Sequence, residues 1–205
     1  MQRLPIVTIS VAGLAVVVSS LPSLASWLVF DRSAILRGEF WRLLTGNWVH
    51  FSSAHLGCDI LGFGIAGWLI ENKGYKNLGP LCLLAGLAIG LGLLILDPAV
   101  RIYGGLSGIA TAAVFFLGLN GLEEGRLWRK LCVAFLAIVS AKICSELVSG
   151  NSLFVNSGTE GVLVPCPLSH LIGAIVAVVI YFWTQLLKIV PQSSLFLNKD
   201  YSNKQ

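Results

Sequence analysis

The stretch YGGLSGIA, residues 103–110, sets a serine among three glycines where a long apolar run begins. Such a turn at the mouth of an apolar helix has two readings. Small residues let membrane helices pack closely. Glycines also let the backbone turn sharply and approach a partner, while the first turn of a helix leaves N–H groups without an internal acceptor. The choice depends on what the rest of the chain brings to Ser107.

The chain has 205 residues, 56% hydrophobic and 12% charged, too apolar and too poor in charge for a soluble domain of this size. A membrane span needs about 20 mainly apolar residues. By that measure six runs qualify, at 4–21, 53–70, 78–96, 106–122, 127–148 and 168–190, separated by short charged or Pro/Gly-rich breaks. The expectation is an all-α polytopic membrane protein: one six-span domain over 1–191 and a loose polar tail over 192–205, with no internal repeat. The first run follows only Met1-Gln2-Arg3, and SLAS at 23–26 has the look of a signal-peptide cleavage site. Removing that run would leave five spans and upset the charge pattern, so it is read as a span.

The fourteen Lys and Arg residues divide unevenly between the two sides. Arg3, Lys73, Lys76, Arg126, Arg129, Lys130, Lys188, Lys199 and Lys204 fall on the side of the termini, and Arg32, Arg37, Arg42 and Arg101 on the other. Lys142 lies inside a span. A bias of nine to four puts both termini in the cytoplasm. It also accounts for the net charge of +4 without a nucleic-acid partner. The five cysteines, Cys58, Cys82, Cys132, Cys144 and Cys166, form no CxxC pair and read as small apolar residues, with neither metal nor cofactor implied.

Ionisable groups inside spans are costly and mark functional positions. His50 and His55 flank the start of the second run, Asp59 lies one helical turn beyond His55 on the same face, and His170 begins the sixth run. The second, fourth and sixth runs all start on the external side, so the three histidines and Ser107 share one depth. A single histidine at a span end is ordinarily an interfacial hydrogen-bonding group. A serine and a histidine converging from distant segments instead suit acyl transfer, in which the imidazole takes the hydroxyl proton and returns it to the leaving amine. The glycine-rich turn and the free N–H groups of a helix start would then face the developing oxyanion.

These residues carry a resemblance. WRLLTGNWVHFSSAHLGCDILGF (41–63), YGGLSGIATA (103–112) and PLSHLIGAIVA (167–177) resemble, in order, the three signature regions of rhomboid intramembrane serine proteases. The resemblance covers the whole six-span plan. It implies Ser107 as nucleophile, His170 as general base, His55 as an oxyanion-hole side chain, Gly105 as the loop glycine and His50 as a structural histidine. The family works as a dyad, with no third carboxylate required. FDRSAILRGEFWRLLTG (30–46), AKICSELVSGNSLF (141–154) and VPCPLSHLIGA (164–174) are similar to the rhombosortase group of small bacterial rhomboids. That group implies an inner-membrane enzyme, opening to the periplasm, that trims Gly-Gly-type C-terminal sorting tails from exported proteins. Its partners would be transmembrane substrates within the lipid bilayer.

Two positions depart from the family pattern. Asp59 stands where rhomboids usually have Asn, four residues after His55; a protonated carboxyl would replace the amide donor, whereas a charged one would make His55 its cationic partner. The sixth-span GxxxG is reduced to GAIVA, Gly173 to Ala177, in which alanine is still small enough for close packing. Lys142 and Glu146, four apart in the fifth run, read as an internal ion pair, with substrate or headgroup recognition as the other reading. Two other functions fit the residues less well. A catalytically silent rhomboid-like protein that binds membrane helices would usually have lost Ser107 or His170. A channel or transporter would need a polar file across the bilayer, and the third run is almost pure Leu, Ala and Gly.

Overall fold

The computed structural model describes residues 4–149 and 166–202, with side chains through Lys188. The chain is built from α1 (Ile6–Ser20), α2 (Pro22–Leu28), α3 (Arg32–Leu36), α4 (Arg42–Thr45), α5 (Ser53–Lys73), α6 (Leu78–Leu96), α7 (Ser107–Gly121), α8 (Arg126–Ser149) and α9 (Pro167–Ser202). Two short strands, β1 (Phe30–Asp31) and β2 (Ile102–Tyr103), pair antiparallel with Phe30 opposite Tyr103. α9 continues as a helix through Ser202, into the stretch expected to be a loose tail.

Among the described residues, α5, α6, α8 and the first 22 residues of α9 are long and apolar enough to cross a membrane. α1 and α2 together make a fifth candidate, bent by 111° at Pro22. Proline carries no N–H to continue the ladder of the preceding helix, so it starts a new one. α7 is apolar but has only 15 residues. At 1.5 Å per residue it spans about 22 Å, short of the roughly 30 Å of a hydrocarbon core. The protein is an integral membrane protein with four or five candidate spans, where composition alone suggested six.

α7 is the central element, packed against α5, α6, α8 and α9. Its buried face of Ile109, Ala112, Ala113 and Phe116 joins Phe63, Ile70, Leu81, Ile89 and Leu93 in one apolar core. At the end of the bundle where α1 starts, the Glu71 carboxylate of α5 accepts from the Val7 and Thr8 amides (3.0 and 2.9 Å) and from Thr8 Oγ1 (2.6 Å). A negative group thereby satisfies the orphan donors at the start of α1.

At the opposite end, α2, α3 and α4 form a folded first loop. Two arginines fix it. Arg32 donates to the carbonyls of Leu93, Leu94, Asp97 and Val100 at 2.6–2.9 Å, closing the C-terminus of α6. Arg42 donates to Glu39 Oε2 (2.7 Å) and to the carbonyls of Ser26 and Val29 (3.0 and 2.9 Å). Each guanidinium thus serves carbonyls that helix ends leave unsatisfied. The β1–β2 pair carries this order into the turn before α7, where the Tyr103 hydroxyl donates to the Gly105 carbonyl (3.2 Å). Burial pushes the Tyr103 phenol well above its ordinary range, which keeps it a donor.

Candidate active site

Ser52 caps α5, its Oγ accepting from the His55 amide at 3.2 Å. The cap places His55 in the first turn and Asp59 one turn beyond, where Asp59 Oδ2 lies 3.2 Å from His55 Nε2. His50 reaches the same oxygen from the extended segment before the helix, with Nε2 at 3.0 Å. The two imidazoles meet edge to face, 5.1 Å between centroids. His50 also touches the Trp48 carbonyl and Ser19 Oγ through Nδ1 (3.3 Å each) and accepts from the Leu106 amide through Nε2 (3.2 Å). It thereby joins α1, α5 and the turn that delivers Ser107.

Gly105 faces the His55 ring with φ +145°, a backbone conformation L side chains rarely adopt. A Cβ at that position would lie 2.8 Å from His55 Cε1. His55 Nδ1 is buried and has no protein partner. The donor atoms of His50, His55 and Asp59 lie within 4.8 Å of one another, a set compatible in principle with a cation. The Leu106 N–H, however, is directed at the His50 Nε2 lone pair that a cation would need.

Ser107 opens α7. The first intrahelical bond at this end runs from the Ala110 amide to the Leu106 carbonyl (2.8 Å), so the amides of Ser107, Gly108 and Ile109 precede it. His170 is buried in the first turn of α9. The two helices cross in backbone contact beside these residues. A Cβ on Gly108 would lie 3.0 Å from the Ser169 carbonyl oxygen, and one on Gly173 would lie 2.1 Å from the Gly108 carbonyl oxygen. Ala177, the small residue in place of the second glycine, is fully buried. Ser107 and His170 are thus the chain neighbours of Gly108 and Ser169, the residues in contact.

The other side of His170 meets α8. Glu146 Oε2 lies 2.7 Å from His170 Nδ1, and Lys142 Nζ donates to Glu146 Oε1 at 2.7 Å. Lys142 Nζ is also 3.4 Å from His170 Nδ1. The expected i,i+4 pair of α8 is present, extended across the helix interface to the histidine.

Compared with known families, residues 37–186 match the Rhomboid domain. The chain belongs to the rhomboid family. No curated protein matches it. Members of this family are, in general, serine proteases of the membrane that act on transmembrane substrates within the bilayer.

In this rhomboid the residues singled out in the sequence fall into two adjoining groups. His50, His55, Asp59 and Gly105 gather around the turn before α7, and Ser107 and His170 gather at the α7–α9 crossing. The contact of Glu146 with His170 was not anticipated, because helical spacing accounts for its Lys142 partner alone. A charge near the C-terminal end of the fifth run, which leads into the start of the sixth at His170, is the signal the sequence offers. Residues 150–165, which include part of the segments similar to rhombosortases, lie outside the described residues.

Proposed function

We propose that this rhomboid is a serine endopeptidase that cuts membrane-anchored substrates near the periplasmic face, with Ser107 as nucleophile and His170 as general base. The observation that carries the reading is the α7–α9 crossing, where two glycines bring the backbones beside Ser107 and His170 into contact. Ser107 Oγ attacks the substrate carbonyl as His170 takes its proton; the C–N bond breaks and the amine leaves with that proton. Water then releases the acyl group by the same route. Amides at the start of α7, with His55 beside Gly105, supply donors for the oxyanion. In a six-span arrangement the short α7 begins below one membrane surface, which suits peptide-bond cleavage at that depth.

We assign the substrates to Gly-Gly-type sorting tails, on the sequence similarity over 30–46, 141–154 and 164–174. The test is incubation of the purified protein in detergent with tail peptides comprising a glycine-containing signal, a span and a basic end. Cleavage on the external side of the span, lost when the glycines are replaced, is expected. Cleavage indifferent to the glycines would contradict the substrate assignment, and binding without cleavage would favour the silent helix-binding reading.

The nine-to-four bias of Lys and Arg supports cytoplasmic termini in a bacterial inner membrane. In a cysteine-free background, a cysteine at Ser157 is expected to react with an impermeant thiol reagent in cells with a permeabilised outer membrane. A cysteine at Asn77 is expected to stay protected; the reverse pattern would invert the topology.

Asp59→Asn is expected to keep at least about a third of wild-type turnover, a loss below 1 kcal/mol in barrier. The Trp48 carbonyl can only accept and the Leu106 amide can only donate, so His50 serves both as the neutral Nδ1–H tautomer. We take the Asp59 carboxyl as neutral, with its hydrogen directed at His55 Nε2 (3.2 Å), and an amide preserves that donor. A tenfold or greater fall in turnover, with the variant folded, would show that His55 depends on a negative charge at Asp59.

A further inference from the structure

Of the four single-helix spans, α8 has the smallest buried share, 17% of its apolar window, yet its Glu146 is fully buried. A buried carboxylate is costly unless both oxygens are served. Lys142 serves Oε1 from within the helix. The bond from Oε2 crosses to α9 and ends on Nδ1 of His170. An ion pair internal to α8 would not require that second contact.

We propose that Glu146 is a positioning residue for the reaction, accepting the Nδ1–H of His170 and so fixing the tautomer whose Nε2 can take the Ser107 proton. The inference rests on the reading of His170 as general base. A carboxylate only accepts, so the ring hydrogen must lie on Nδ1, and a neutral imidazole then has its lone pair on Nε2. When Ser107 gives up its proton to Nε2, the Nδ1–H bond becomes one between imidazolium and carboxylate, and Glu146 remains charged throughout. Lys142 has a defined part. Its ammonium, 2.7 Å from Oε1, orients the carboxylate, while its 3.4 Å approach to Nδ1 would oppose the imidazolium if Glu146 were neutral. The Ser107–His170 dyad is thus held in register by a positioning carboxylate from α8.

Glu146→Gln tests this most sharply, because the amide can donate to Nδ1 and impose the opposite tautomer. The variant is expected to lower kcat by about 10²- to 10⁴-fold with KM changed no more than about threefold. Glu146→Asp should recover part of the loss. In nitrogen-15 histidine-labelled protein, the His170 signal, assigned by its absence from His170→Asn, should show hydrogen on Nδ1 in the wild type and on Nε2 in Glu146→Gln. A kcat within about threefold of wild type, or a fall in kcat with the tautomer unchanged, would overturn the positioning role. The wild-type spectrum decides without any Glu146 variant, since hydrogen on Nε2 of neutral His170 would equally refute it. If Ser107→Ala still cleaves, the protease reading itself fails; if Ser107→Ala is inert and Glu146→Gln active, only this inference does.

Discussion

Ser107→Ala and His170→Asn are each expected to lower cleavage by at least about 10³-fold, and the double variant should be no slower than either single one. In the proposed mechanism the two side chains act as one proton-transfer unit, so removing either leaves nothing for the other to do. Ser107→Ala deletes one hydroxyl from a half-buried helix start and should change stability by no more than about 1 kcal/mol. His170→Ala is the poorer variant, because it strips Glu146 of a partner at zero exposure. Loss of such a partner costs roughly 1–3 kcal/mol or more. Asparagine keeps a donor for the carboxylate and removes the base. Retention of more than a few per cent of turnover in Ser107→Ala would end the catalytic assignment.

Gly173→Ala is expected to cost about 10²-fold in turnover, although it adds one methyl group at a position that contacts no substrate in the proposed scheme. The new Cβ would lie 2.1 Å from the Gly108 carbonyl oxygen, and a backbone group cannot swing aside as a flexible side chain can. α7 and α9 must therefore separate. A misplacement of about 1 Å between nucleophile and base is enough for a loss of that size. The accompanying loss of stability should be about 1–3 kcal/mol, as for other overpacked interiors. Gly13→Ala, where an added Cβ meets nothing within 4 Å, is the matched control and should leave activity unchanged. Turnover of Gly173→Ala within twofold of wild type would mean that the crossing does not set the geometry of the site.

Much of this arrangement was legible in the residues because apolar runs and i,i+4 spacing are local. Asp59 reaches His55 and Glu146 reaches Lys142, as one helical turn requires. Contacts that bridge segments were not legible. His50 lies in extended chain before α5, so no period relates it to Asp59 or to the Leu106 amide, both of which it meets. Glu146 and His170 belong to different helices, and nothing in their spacing brings them to 2.7 Å. The first loop carries motifs of the resemblance, but hydropathy shows it only as a break between spans. Its order comes from Arg32 and Arg42 binding carbonyls of distant segments, which a charge count treats as two external positives. The count of six spans rested on hydropathy, which does not see that α7 stops at 15 residues or that the chain turns by 111° between α1 and α2, just past the first run.

The central claim is that Ser107 is a nucleophile activated by His170. Treatment of the purified protein with a fluorophosphonate reagent, followed by peptide mapping by mass spectrometry, tests it most directly, because such reagents report activated serines without the need for a known substrate. A single covalent adduct on Ser107 is expected, formed by the wild type and lost in His170→Asn. An unmodified Ser107, or an adduct that forms equally well without His170, would contradict it.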